Sequence, residues 1–153
     1  MAKEMIIEKS IVINKPIQEV FNYLKFCRNQ EHFSVWNMSD PTKQTTETGI
    51  DGTVGFVYTW DSKIKNVGAG SQQITKIEDR KSIEYVITFL RPMKNIGNAS
   101  FILVQIKNNE TKVSWEFKSP TKFPMSLFKS FFQKMLGKDL AKSLENLKVI
   151  LEK

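Results

Sequence analysis

Eight aromatic residues carry the chemistry this sequence offers: Trp36, Tyr58, Trp60, Tyr85, Phe89, Trp115, Phe128 and Phe132. Each stands where strand alternation or helical spacing turns it inward. Wide apolar faces with a few hydroxyl and indole donors suit a pocket that shelters a hydrophobic or amphipathic molecule and orients it. They suit plain core packing as well, because inward aromatics are what such a fold needs in any case. Met93, Met125 and Met135 extend both readings, since a flexible thioether lines an adaptable wall or fills an irregular gap. The candidate ligand-binding set is Trp36, Tyr58, Trp60, Tyr85, Phe89, Trp115, Met125, Phe128 and Phe132.

His32 is the single histidine and the one side chain that titrates near neutrality without perturbation. No acid or nucleophile accompanies it and no Gly-x-Ser-x-Gly elbow occurs, so a surface position is expected. One histidine and one cysteine exclude a metal site built from several of either, and the acids are dispersed rather than gathered in a cation-binding loop. Gly49, Gly52 and Gly55 share the glycine content of a phosphate loop but lack its Gly-Lys-Ser/Thr ending and open no helix, which makes them a turn. Arg91, beside Pro92 at a strand end, either meets an acidic head group or stands as an exposed loop arginine. Asp61, Glu84 and Glu116 alternate with apolar neighbours and fit solvent-facing positions. No catalytic residue, metal or cofactor is assigned.

The elements that position the aromatics follow from periodicity. Ile6 to Ile13 is rich in β-branched residues and reads as an opening strand. Pro16 then starts a helix to about residue 26, with Ile17, Val20, Phe21 and Leu24 on one stripe. A second short helical piece spans Arg28 to Trp36. Between residues 42 and 118 a β meander is expected, with strands at 42–48, 54–61, 64–78, 81–90, 96–107 and 111–118, separated by short turns that favour antiparallel neighbours. Phe56, Tyr58 and Trp60 share one face; so do Ile83, Tyr85, Ile87 and Phe89, and likewise Val113, Trp115 and Phe117. Ile102, Val104 and Ile106 oppose Phe101 and Leu103, leaving a second apolar face for a dimer contact or a covered patch. From Pro124 a long helix carries a broad apolar stripe that includes Phe131, Phe132, Met135, Leu136, Leu140, Leu144 and Leu147, and it needs a sheet to cover it.

With 153 residues, 41% apolar and 25% charged, the chain has the length and composition of one folded domain over 1–153. Cys27 is the only cysteine, so an intrachain disulfide is impossible and a reducing compartment, the cytoplasm, is expected. The longest apolar stretch at the N-terminus, Met5 to Ile7, is too short for a signal-peptide core or a membrane span. The net charge of +7 comes from 20 Lys and 3 Arg against 16 acids. Lysine-rich and arginine-poor surfaces keep proteins soluble more than they read phosphates, which argues against nucleic acid as partner.

The order strand, two short helices, antiparallel meander, long helix is that of an α+β helix-grip fold. The chain resembles the START-like (SRPBCC) superfamily, in particular its small bacterial members of polyketide cyclase/dehydrase type. The resemblance rests on Ile11-Val-Ile-Asn-Lys-Pro-Ile-Gln-Glu-Val-Phe21, Phe33 and Trp36, Gly68-Ala-Gly70, Thr111-Lys-Val-Ser-Trp115, Met135-Leu-Gly-Lys-Asp-Leu140 and Leu144-Glu-Asn-Leu-Lys148. It implies a curved antiparallel sheet of about seven strands wrapped around the C-terminal helix, and it specifies fold better than activity. It further implies a cavity that in many members holds an apolar or amphipathic small molecule; apart from the resemblance, a monomer or homodimer is expected. The expectation is a binding protein; the alternative is a cyclase, dehydratase or aromatase-like enzyme using the same cavity. A third reading is an interaction module that uses the outer apolar strand.

Overall fold

The computed structural model describes residues 3–121 and 129–153. Strand β1 (Lys3–Ile13) runs antiparallel to β7 (Glu110–Thr121), from the pair Lys3 and Thr121 to the pair Ile13 and Thr111. It begins before the β-branched run because the backbone ladder continues past the last apolar pattern. Helix α1 (Ile17–Leu24) follows an extended Pro16 and buries Val20, Phe21 and Leu24. The next piece is broken in three: a 3-10 turn (Cys27–Asn29), α2 (Gln30–Phe33) and α3 (Val35–Met38). Extended Ser34 makes the break between the two helices, and its hydroxyl caps α3 by accepting from the Asn37 N–H.

The meander supplies β2 (Gln44–Thr48), β3 (Val57–Asp61), β4 (Ala69–Glu78), β5 (Ser82–Arg91) and β6 (Asn95–Lys107). The seven strands form one sheet in the order β1-β7-β6-β5-β4-β3-β2, every pairing antiparallel. Three strands are shorter than the sequence pattern: β2 starts at Gln44 rather than at residue 42, and β3 and β4 also start late. Residues 54–56 leave β3 because the Gly-rich turn, with Gly49, Gly52 and Gly55 at positive φ, runs on through Gly55. Residues 64–68 leave β4 because the N–H groups of Val67 and Gly68 fold back onto the Ile64 carbonyl. Register shifts between β4 and β5 and between β6 and β7 bend the sheet locally.

Helix α4 (Lys129–Leu151) lies against β1; the expected start at Pro124 falls outside the described residues. Glycine at 137 permits the approach, since a Cβ there would stand 3.1 Å from Lys9 Cε. Gln133 and Lys148 donate to the Ile6 and Val12 carbonyls of β1 at 2.9 and 2.8 Å. Leu144 and Leu147 are fully buried with Ile13, Phe33, Phe101 and Val113, each such side chain contributing roughly 1.5–3 kcal/mol relative to exposure. The expected stripe was too broad: Phe131 is 63% and Met135 43% exposed. The helical turn puts them beside Lys134, Lys138 and Lys142 rather than over the sheet, so Met135 is not a wall residue. Ile102, Val104 and Ile106 stay exposed on the outer sheet face.

Candidate functional site

Between the sheet and α4 lies a cavity of about 1000 Å³, lined from β1, α2, α3, the strands β3 to β7, and α4. Alternation along β3 turns Tyr58 and Trp60 inward. Trp60 Nε1 donates to the Val67 carbonyl at 3.0 Å, which fixes the indole with its other edge on the cavity. Phe89 on β5 is the hub of the aromatic wall. It meets Trp36, Trp60 and Phe117 edge-to-face, at centroid distances of 6.5, 6.1 and 6.2 Å.

Of the nine candidate residues, Trp36, Tyr58, Trp60, Phe89, Trp115 and Phe132 line this cavity. Tyr85 does not. It is 1% exposed and packs edge-on against Phe101 in the core, because an inward strand face does not say how deep a side chain sits. Among the described residues its hydroxyl makes no hydrogen bond of good geometry, though the Gln30 amide faces it, and burial pushes its pKa well above the ordinary phenol value. Met125 and Phe128 lie outside the described residues. Met93 lines the cavity where Leu90, Met93 and Ile96 are all more than half exposed, which marks the mouth. His32 is exposed, and Arg91 pairs with Asp61 while donating to the Ser62 carbonyl.

One part of the wall is polar, and sequence reasoning missed it. Lys43, just before β2, has a side chain only 5% exposed. Its ammonium donates to Glu31 Oε2 and to the Asn37 carbonyl, both at 2.8 Å. Glu31 also accepts from the Tyr58 hydroxyl and, at 3.3 Å, from Asn37 Nδ2. Burial pushes the Glu31 carboxyl up, but the donors Lys43, Tyr58 and Asn37 outweigh it, and the net pKa is lowered. Burial and the Glu31 charge both hold the Tyr58 hydroxyl protonated, its pKa raised far beyond the usual phenol range. Gln30, Ser34, Gln72, Asp139 and Ser143 are among the other polar residues of the lining, with Lys94 and Asn95 toward the mouth. Ser143 ties α4 to the helical corner by accepting from the Val35 N–H at 2.9 Å. Among the described residues no group of three or more His, Cys, Asp or Glu side chains is placed to hold a metal.

An antiparallel sheet gripping one long helix over a mostly apolar cavity defines a helix-grip protein of the SRPBCC type. The chain belongs to the family described as polyketide cyclase / dehydrase and lipid transport, whose model matches residues 5–152. No curated protein matches it. Among solved structures it is similar to norcoclaurine synthase from Thalictrum flavum, with a TM-score of 0.74, 8% identity, and coverage of 99% of this chain and 89% of that one. A protein from Chromobacterium violaceum aligns with a TM-score of 0.66 at 12% identity, over 97% and 98% of the two chains. A protein of the dynemicin biosynthetic locus aligns with a TM-score of 0.66 at 14% identity, over 97% of this chain and 47% of its own. At such identities the likeness is one of fold.

Proposed function

We propose that this chain binds a hydrophobic or amphipathic small molecule between the sheet and α4, as one domain acting in the cytoplasm. The observation that carries the reading is the cavity of about 1000 Å³, whose size and aromatic walls fit a small-molecule site. No helix of the described residues is long and apolar enough to cross a membrane. Native mass spectrometry of protein purified from its own host is the test: a retained small molecule of apolar class supports the reading. A ligand-free protein that shows no thermal shift across lipid and aromatic panels overturns it.

A cyclase-type enzyme is the second reading, favoured by the ammonium of Lys43 on the cavity wall, which can polarise a carbonyl. The neighbouring groups support binding better than proton transfer. Tyr58 holds its proton too tightly and Glu31 holds one too weakly to act as a general base near neutrality.

A further inference from the structure

The polar part of the cavity has more hydrogen-bond donors than acceptors. Lys43 Nζ carries three N–H groups. Two are directed at Glu31 and Asn37, and the third is unclaimed among the described residues. Glu31 already accepts from three donors. Gln30, 3% exposed and on the cavity wall, has its Oε1 engaged by Gln72 at 3.2 Å, and its Nε2 faces the Tyr85 hydroxyl rather than the occupant, which leaves Lys43 as the donor to be matched. Ser143 Oγ is committed on both sides, to the Val35 N–H and the Asp139 carbonyl. Unmatched buried donors cost free energy, and an acceptor on the occupant removes that cost.

Charge decides which acceptor. Lys43 and Glu31 together are neutral, so a carboxylate approaching Lys43 also meets the repulsion of Glu31 and must shed its own hydration among aromatic walls. Asp139 of α4 and Lys94, the other charged residues of the lining, offset one another and leave the Lys43–Glu31 pair to set the local field. A ketone, aldehyde or ester oxygen takes the third N–H and brings no charge. Building on the cavity-binding reading, we propose that the site selects an uncharged, carbonyl-bearing apolar chain. Its oxygen sits on Lys43 and its chain runs past Trp36, Trp60 and Phe89 toward the mouth at Leu90 and Ile96.

The test is displacement of a neutral naphthylamine dye from the full chain near neutral pH, by a long-chain methyl ketone and by the fatty acid of equal length. The ketone should bind about tenfold more tightly than the acid. Glu31→Gln leaves the Lys43 charge unpaired and should improve acid binding by about tenfold, reversing or erasing the preference. Lys43→Met should weaken the ketone by about tenfold while dye binding persists, and it serves if Glu31→Gln fails to fold. Equal binding of acid and ketone, or a preference unmoved in both variants, overturns the head-group assignment alone. A dye that neither binds nor is displaced by any chain compound overturns the cavity-binding reading itself.

Discussion

The indole of Trp60 lies over Gly70, its pairing partner on the neighbouring strand, so closely that a Cβ on Gly70 would stand 2.8 Å from Cη2. The same Cβ would be 2.3 Å from the Thr88 carbonyl oxygen, which belongs to the backbone and cannot swing aside. Gly70→Ala is expected to lower stability by about 1–3 kcal/mol, read from the urea midpoint. It should also shift the tryptophan emission, because the indole has to tilt into the cavity. Unchanged emission with unchanged stability would mean that the ring does not rest on this glycine.

Local period is enough to place such residues. Tyr58, Trp60 and Phe89 face inward because β-strands alternate, and the alternation is visible in the sequence. Depth is not: Tyr85 shares the inward face with Phe89 but is sealed off by Phe101. Lys43 was invisible for a different reason. Its partner Glu31 is 12 positions away, and Tyr58 a further 15, so the three meet only after α2, α3 and β3 have folded together. A buried lysine carries no local pattern that separates it from the many solvated ones.

Asp51 holds the Gly-rich turn to the helical corner. Its carboxylate accepts from the backbone N–H groups of Cys27 at 2.7 Å, Arg28 at 3.0 Å and Gly52 at 2.8 Å. Asp51→Ala leaves buried N–H groups without acceptors and should cost about 1–3 kcal/mol in chemical denaturation. Asn, which keeps one oxygen, should restore part of the loss. A neutral Asp51→Ala would refute the anchoring role.

Acid should loosen the polar wall of the cavity. A carboxyl whose folded pKa lies below its ordinary value, 4.5 for Glu31 and 3.8 for Asp40, contributes stability in full above that value and loses it as pH falls through the folded one. Glu31 is such a group. Asp40 is another, held down by hydrogen bonds from Ser62 and Thr42, so the wild-type profile alone does not isolate Glu31. The stability advantage of wild type over Glu31→Gln should be constant near neutrality and shrink steadily below the ordinary carboxylate range. A difference independent of pH would show that the Glu31 charge contributes nothing to the fold.

Cys27 should be inert in the folded chain. Burial pushes its thiol up to about 12, with the Gln72 amide opposing and the Asp51 charge adding to the rise. The thiolate is the reactive form, so at mildly alkaline pH almost none is present. Reaction with an aromatic disulfide reagent should therefore track global unfolding, and its rate should rise with urea in step with the loss of secondary structure. Fast labelling of the native protein would place the thiol in a solvent-accessible setting instead.

Ala99 gives the most direct probe of the cavity. It lies on β6, 5% exposed, opposite Tyr85 in the strand register, and its methyl group is part of the cavity wall. Phenylalanine there has about 1000 Å³ of adjoining space to enter, so overpacking is not the expected outcome. The extra ring replaces void with contacts, and a gain or near-neutral change in melting temperature follows. Dye capacity should fall sharply at the same time, because the occupant and the new ring compete for one volume. Stability and binding thus move in different directions in Ala99→Phe, a separation that general misfolding does not produce. If instead the variant keeps full dye affinity, the dye occupies some other surface, and the space under α4 is not where this chain holds its ligand.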